Sequence, residues 1–225
     1  TQGVKYLKQC GNPEGWPEGV KYLKECDNPE GLLFKDIGGF DPCQCYLNCF
    51  YKTYQNSASA YYYTHTSCAL KGRCSNSMYE NSSVEIVSTP RGLGLRALDD
   101  IPVGAFIGEY TERLTTFNIT ASDHHYEYAL EIHEKTLTKM IAYIDAETCG
   151  GITKYANHSR ELNCHFVEMR IRQRLRVVML VIDKIFAGQE ITVNYGDKLW
   201  FDCSCNTESC IGPMIPDVVK ANEDD

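Results

Sequence analysis

The sequence predicts a mostly β protein that is built from several small sheets, contains little helix and has cysteine-rich flanks. Short apolar runs rich in β-branched residues, such as 105–110 and 176–182, are bounded by glycine turns, which is typical of strands. The 225-residue chain also carries 12 cysteines, and two pairs of them have the spacing C-x-C. Together, these two signals indicate short strands and turns held between cysteine-rich segments.

Composition restricts the class of protein. The formal net charge is −8, which argues against an intrinsic nucleic-acid surface and suits a basic partner. Hydrophobic residues make up 43% of the chain, yet no apolar run approaches the length needed to span a bilayer, so we expect no membrane association.

The first 40 residues are expected to form an N-terminal arm that contains a duplication. Residues 3–15 and 19–31 agree at eleven of thirteen positions, and Cys10 and Cys26 repeat with them as possible stray metal ligands. Two copies are too few for a solenoid. We therefore expect an irregular arm rather than a repeat domain.

Residues 41–84 have too few aliphatic side chains to form a core of their own. Metal binding would then have to hold the segment together. Disulfides in a secreted protein are the alternative, but the C-x-C spacing favours zinc in a reducing compartment. The candidate ligands of this module are Cys43, Cys45, Cys49, Cys68 and Cys74.

Residues 85–198 carry most of the strand signals and are predicted to form the main domain. The region from 112 to 140 mixes polar and aromatic residues and is the best candidate for a substantial helix. Residues 199–212 hold a further C-x-C-x4-C segment, and residues 213–225 form an acidic tail that we expect to be disordered. The predicted strands are 84–87, 91–97, 105–110, 140–144, 176–182 and 191–195.

Six short sequence motifs, taken in their order and spacing, indicate the protein family more specifically than any one of them does alone. They read R-G-x-G-x-R-A, E-Y, I-D-A, N-H-S, G-x-E-I-T-x-N-Y-G and C-x-C-x4-C. This ordered set resembles the SET-domain protein lysine methyltransferases, over about three quarters of the chain. The resemblance implies the β-clip SET fold, with a knot-like crossing of the N-H-S and N-Y-G segments. It also implies a preceding AWS-like or pre-SET-like zinc module and a following post-SET-like zinc loop.

The resemblance also implies roles for individual residues and for partners. S-adenosylmethionine and structural zinc would be the cofactors, a histone tail or nucleosome the substrate, and the nucleus the location of a monomeric protein. Tyr195, Tyr126 and Tyr110 would serve catalysis. The cofactor would contact Arg91, Gly92, Leu93, Gly94, His125, Tyr126, Asn157 and His158.

The chemistry agrees with this assignment. Methyl transfer to an amine requires a neutral lysine, whose ordinary pKa is about 10.4. A desolvated channel beside a sulfonium lowers that pKa, so alignment by a phenol such as Tyr195 suffices without a strong general base.

The sequence departs from the family at the C-terminal zinc loop. Cys203, Cys205 and Cys210 supply three thiolates, whereas tetrahedral zinc takes four ligands. Arg160 stands where the family has a cysteine, so Cys164 is the candidate for the fourth ligand, with Cys149 or an incomplete site as alternatives.

Three further departures, Gly151, Leu162 and Val193, bear on activity. A small Val193 predicts room for more than one methyl group. The leading hypothesis is an active histone lysine methyltransferase. The alternative is a degenerate SET module that binds histones or other proteins without turnover.

Overall fold

The regular structure of the chain consists almost entirely of short strands. The computed structural model describes residues 12–38, 61–63, 68, 80–116, 128–196, 199–205 and 207–210. Within these ranges the one helical element is a 3₁₀ turn, Ile152–Tyr155. The strands are β1 (Lys21–Tyr22), β2 (Val84–Thr89), β3 (Gly92–Ala97), β4 (Phe106–Glu109), β5 (Arg113–Thr115), β6 (Ala129–Ile132), β7 (Ala142–Asp145), β8 (Cys149–Gly150), β9 (Asn157–His158), β10 (Cys164–Ile171), β11 (Arg174–Val181) and β12 (Glu190–Val193).

These strands form four small sheets, as predicted. One sheet has the order β2-β3-β12-β9, a second β10-β11-β4, a third β5-β7-β6, and the last pairs β1 with β8. All six predicted strands are present, with ends that differ by a few residues. Across the described ranges, no helix is long and apolar enough to cross a bilayer.

Strand β11 is the centre of the second sheet. It pairs antiparallel with β10 on one side and with β4 on the other. A central strand that is covered on both faces tolerates a continuous apolar run instead of an alternating one. Residues 177–181 accordingly read Val-Val-Met-Leu-Val and are all buried.

The helix predicted between residues 112 and 140 is wrong for the described part of that range. Strands β5 and β6 occur there instead, and both pair antiparallel with β7. In β5, Leu114 is buried between an exposed Arg113 and a half-buried Thr115, which is the alternation of a strand with one covered face. Pairing with β7 therefore overrode the ambiguous local pattern. Residues 117–127 lie outside the described ranges.

The second copy of the duplicated segment is more ordered than the predicted irregular arm. Strand β1 pairs in parallel with β8, and Leu23 is buried. The backbone N–H of Leu23 donates to the carbonyl of Gly150 at 2.9 Å, and the Thr111 hydroxyl donates to the Leu23 carbonyl at 2.7 Å. The first copy lies outside the described residues up to position 11.

The largest apolar core lies against the four-stranded sheet. Its members include Leu95, Ile107, Met179 and Ile191. Ala156 and Val193 belong to the same core, so the backbone on both sides of the N-H-S and N-Y-G segments is anchored in close-packed side chains.

A buried ion pair joins β4 to β11. The guanidinium of Arg176 donates to a carboxylate oxygen of Glu109 at 3.0 Å, and the Glu109 side chain is only 6% exposed. The other oxygen of Glu109 has no partner among the described residues. Burial outweighs the attraction of Arg176 and raises the pKa of Glu109 from 4.5 to about 7.

Replacing Glu109 with Gln should make stability less dependent on pH. Because the folded-state pKa is raised, the folded protein retains a proton that the unfolded chain releases, so stability falls as pH rises from about 4.5 to about 7. The Glu109→Gln variant should lose about 3 kcal/mol less than the wild type over this interval. Thermal unfolding at a series of pH values measures the difference. The half-exposed Glu85, changed to Gln, is the control and should follow the wild type. An identical pH slope in all three proteins would contradict the raised pKa.

Candidate active site

The site is organised by two chain segments that lie side by side. Strands β9 and β12 pair in parallel, with Asn157 opposite Thr192 and His158 opposite Val193. The backbone N–H of Ser159 continues the contact by donating to the Val193 carbonyl at 2.9 Å. The structure thus brings together the predicted N-H-S and N-Y-G segments.

His158 and Tyr195 contact each other directly across this pairing. The backbone N–H of Tyr195 donates to His158 Nδ1 at 3.1 Å, which leaves the imidazole proton on Nε2. Burial, helped by the positive charges of Arg160 and Arg91, lowers the pKa of His158, so the ring is neutral at physiological pH. Its buried Nε2 has no hydrogen-bond partner among the described residues.

The Tyr195 side chain is held in a fixed direction. Its hydroxyl donates to the Ala156 carbonyl at 2.7 Å, and its ring stacks on Trp200 with centroids 5.7 Å apart. Burial raises the pKa of Tyr195 to about 12, so the group is a neutral phenol. It can donate and accept hydrogen bonds but is a poor base at neutral pH.

A polar network connects the glycine turn to Asn157. One Arg91 nitrogen donates to Glu190 at 2.6 Å and another to the His158 carbonyl at 3.0 Å. The Asn157 amide donates to the other Glu190 oxygen at 2.7 Å. Glu190 was not predicted as a site residue, although it lies in the G-x-E-I-T-x-N-Y-G block that marked the site.

A cavity of about 430 Å³ opens beside this network. That volume is in the range of binding sites for small organic ligands. The predicted residues that line it are Arg91, Gly92, Leu93, Asn157, His158 and Tyr195. Cys205, which was predicted as a metal ligand, also lines it, and six further lining residues were not predicted: Tyr128, Lys154, Tyr155, Trp200, Phe201 and Ser204. We name it the large cavity.

A smaller cavity of about 110 Å³ adjoins the large cavity, and we name it the narrow cavity. The two share Tyr128, Lys154, Tyr195 and Trp200 as wall residues. Tyr110, which was predicted to serve catalysis, lines the narrow cavity, and its hydroxyl donates to the Tyr128 carbonyl at 2.7 Å. Val193 is not among the wall residues of either cavity, since its side chain packs in the main core. Its predicted influence on the number of methyl groups stays a prediction.

Gly94 lies behind the wall of the large cavity. A β-carbon at this position would come within 2.6 Å of Thr89 Cγ2 and 2.8 Å of the Asn157 amide nitrogen. The residue therefore serves the site by letting the polar network close behind the turn. His125 and Tyr126, also predicted as cofactor contacts, lie outside the described residues.

The C-terminal cysteines form one group. The thiols of Cys203, Cys205 and Cys210 all lie within 4.8 Å of one another. Burial raises the pKa of the Cys205 thiol, but hydrogen bonds from Thr207 and the Arg160 backbone outweigh it and lower that pKa to about 6. A thiol with a low pKa is a good metal ligand at neutral pH.

Cys164 does not join this group, which corrects the prediction that it supplies the fourth ligand. Its side chain is fully buried in the main core, and this burial raises the pKa of the thiol to about 12. Cys149 is also separate, because its thiol donates to Glu112 at 2.9 Å. Cys68 is buried. The remaining predicted ligands, Cys43, Cys45, Cys49 and Cys74, lie outside the described residues.

Together, these features define a SET-type fold, with paired N-H-S and N-Y-G segments beside a ligand cavity. A family model described as the SET domain matches residues 92–196. The match identifies a SET domain in this part of the chain.

Curated relatives share part of their length with this chain. A protein of Mycosarcoma maydis is 29% identical over 190 residues, which cover 76% of this chain and 18% of the relative. A protein of Cryptococcus neoformans is 31% identical over 158 residues, covering 65% and 19% respectively. A human protein is 31% identical over 160 residues, covering 65% and 6%. Each is named histone-lysine N-methyltransferase, H3 lysine-36 specific. The chain thus spans less than a fifth of these relatives.

The fold is also found in a solved structure. A crystal structure of KRYPTONITE with mCHH DNA, an H3(1–15) peptide and SAH has a TM-score of 0.63 and 19% sequence identity. The match covers 88% of this chain and 48% of that one. At this level of identity the similarity concerns the fold, and it confirms the predicted fold class.

Changing Gly94 to Ala should destabilise the protein by about 1–3 kcal/mol. The added methyl group would push Thr89 and Asn157 apart and open the network with Glu190. Chemical denaturation measures the loss. Ser88→Ala, at an exposed position of β2, is the control and should change stability by less than about 0.5 kcal/mol. Wild-type stability of Gly94→Ala would show that the network shifts at little cost.

Proposed function

We propose that this chain is an S-adenosylmethionine-dependent lysine N-methyltransferase that acts on histone H3 in the nucleus. The observation that carries the proposal is the junction of the two cavities at Tyr195, directly beside His158 and Asn157. The match to the SET domain and the names of the relatives support the same activity. The net charge of −8 suits a basic histone tail.

The large cavity fits the cofactor in size and in donor chemistry. Its wall residues include the neutral His158, the polar Asn157 and the aromatic Trp200 and Phe201. A neutral imidazole is well suited to a positively charged sulfonium, because it adds no repulsion. The bound cofactor would supply the electrophilic methyl group, and the proposed contacts are Arg91, Gly92, Leu93, Asn157 and His158.

The narrow cavity would receive the target lysine. Tyr110, Tyr128 and Tyr195 give it aromatic and phenolic walls, which suit an alkylamine. The hydroxyl of Tyr195 is fixed by the Ala156 carbonyl, so it can orient the incoming amine without ionising. Rate acceleration would come from alignment and from fixed dipoles.

The relatives favour a target that the H3(1–15) peptide does not contain. Their names specify lysine-36 of H3, and we propose this residue as the substrate. A transfer assay with radiolabelled methyl groups should compare nucleosomes, an H3(1–15) peptide and an H3 peptide centred on lysine-36. The wild type should label nucleosomes and the lysine-36 peptide. Tyr195→Phe should lower the rate about 100-fold by removing one fixed hydrogen-bonding group.

Tyr143→Phe provides the matched control, because Tyr143 is a buried tyrosine on β7 that lines neither cavity. It should retain wild-type activity. Equal rates for Tyr195→Phe and the wild type would refute the role of Tyr195. Cofactor binding without transfer to any substrate would instead favour the degenerate, histone-binding alternative.

We also propose that zinc binds to Cys203, Cys205 and Cys210. The three thiols provide three of four tetrahedral positions, and the fourth would be filled from outside this group. The cysteines between 43 and 74 are proposed to hold further zinc in an AWS-like or pre-SET-like module at 41–84.

Elemental analysis of protein purified under reducing conditions tests the C-terminal site. Cys205→Ser should lose about one zinc per chain relative to the wild type, since two thiols hold zinc far less tightly than three. Cys164→Ala should keep the wild-type content, because this thiol is packed in the core. Loss of zinc from Cys164→Ala, with none lost from Cys205→Ser, would reverse the assignment.

A further inference from the structure

Lys154 is a buried cation in the wall of the site, and it has no role in the proposed binding of cofactor and lysine. It lies in the 3₁₀ turn Ile152–Tyr155 and is only 6% exposed. Its side chain lines both the large and the narrow cavity. Burying an ammonium group is costly unless partners compensate it, so its position requires a physical explanation.

The ammonium group of Lys154 contacts two aromatic rings. Its Nζ lies 4.9 Å from the centre of the Tyr128 ring and 5.7 Å from that of Tyr155, within the range of cation–π attraction. The same nitrogen donates to the Glu147 carbonyl at 3.3 Å. The chain thus fixes the charge between a backbone acceptor and two ring faces.

Acidic side chains near the ammonium group stabilise its charge. Burial, the strongest influence, lowers the pKa of Lys154, whereas the carboxylates of Glu112, Asp145 and Glu147 and the Cys149 thiol oppose the shift. Glu112 is itself buried, and one of its oxygens has no hydrogen-bond partner among the described residues. These groups favour a protonated Lys154.

Tyr128 connects the Lys154 ammonium group to the site, because its ring contacts this group. Tyr128 is a wall residue of both cavities. Its backbone carbonyl accepts hydrogen bonds from the Tyr110 hydroxyl at 2.7 Å and from the Ala146 N–H at 3.1 Å. The backbone of Tyr128 is therefore fixed by these bonds, and the contact with Lys154 acts on its ring.

We propose that Lys154 is a positioning residue that holds the Tyr128 ring at the junction of the two cavities and keeps a fixed positive charge beside the site of methyl transfer. This inference rests on the proposed methyltransferase function. A fixed positive charge disfavours a second cation nearby, so it favours the neutral form of a target lysine. It also disfavours the sulfonium of S-adenosylmethionine relative to the uncharged sulfur of S-adenosylhomocysteine.

The test compares Lys154→Met, which removes the charge, with Lys154→Arg, which keeps it. In Lys154→Met, the ratio of the dissociation constants of S-adenosylmethionine and S-adenosylhomocysteine should fall about threefold, as measured by calorimetry. The acidic limb of its pH–rate profile should move upward by about half a pH unit. Lys154→Arg should resemble the wild type in both measurements. Lys184→Met, at a half-exposed lysine paired with Asp100, is the control and should also resemble the wild type.

Three results would overturn the proposal. The first is an unchanged ratio in Lys154→Met, and the second is an equal change in Lys154→Arg, which would indicate a packing role alone. The third is a methyl group found on Lys154 by mass spectrometry after incubation with cofactor, which would make this lysine a substrate. If the wild type binds both ligands but transfers no methyl, the proposed function fails while the binding ratio still decides the role of Lys154. A wild type that binds neither ligand overturns both.

Discussion

The parallel pairing of β9 with β12 is the constraint on which the site depends. It joins His158 to Tyr195, which are 37 residues apart in the chain, through a hydrogen bond between backbone and imidazole. That bond sets the tautomer of His158, and the adjoining backbone at Ala156 sets the direction of the Tyr195 hydroxyl. Ala156, which precedes β9, and Val193 of β12 both belong to the main core. Packing therefore supports this geometry together with the polar contacts.

Charged side chains around the β9–β12 pairing have partners of opposite charge or polarity. Arg91 and Arg160 act on His158 and favour its neutral form, while Glu190 neutralises Arg91 and orients the Asn157 amide. At the junction of the cavities, Lys154 interacts with nearby carboxylates and with two aromatic rings. The wall of the site therefore combines the neutral side chains of His158 and Tyr195 with two cations, Arg91 and Lys154, whose charges are offset by these partners. Such an arrangement suits the transfer of a methyl group between a cation and a neutral amine.

The sequence predicted the parts of the fold and of the site that depend on local pattern or on an ordered motif. The apolar run at 176–182 predicted β11 because a central strand is buried on both faces. The motif order predicted that the N-H-S and N-Y-G segments lie together, and His158 and Tyr195 are in contact. Sequence could not predict Tyr128 or Lys154 as wall residues, because their roles depend on how β6 and the 3₁₀ turn pack around the junction. It failed for Cys164, whose spacing suggested a ligand although its strand carries the side chain into the core.

The cluster of three cysteines, Cys203, Cys205 and Cys210, contributes to the wall of the large cavity. Ser204 and Cys205 line the large cavity together with Trp200 and Phe201, and Trp200 stacks on Tyr195. The backbone N–H of Ser209 donates to a carboxylate oxygen of Glu161, which connects the loop to the segment that follows the N-H-S block. A metal that gathers Cys203, Cys205 and Cys210 would therefore fix one wall of the cavity as well as the loop itself. The three cysteines and the aromatic wall residues Trp200 and Phe201 belong to one short segment. Ligand binding and metal binding would therefore stabilise the same conformation of this segment and so reinforce each other.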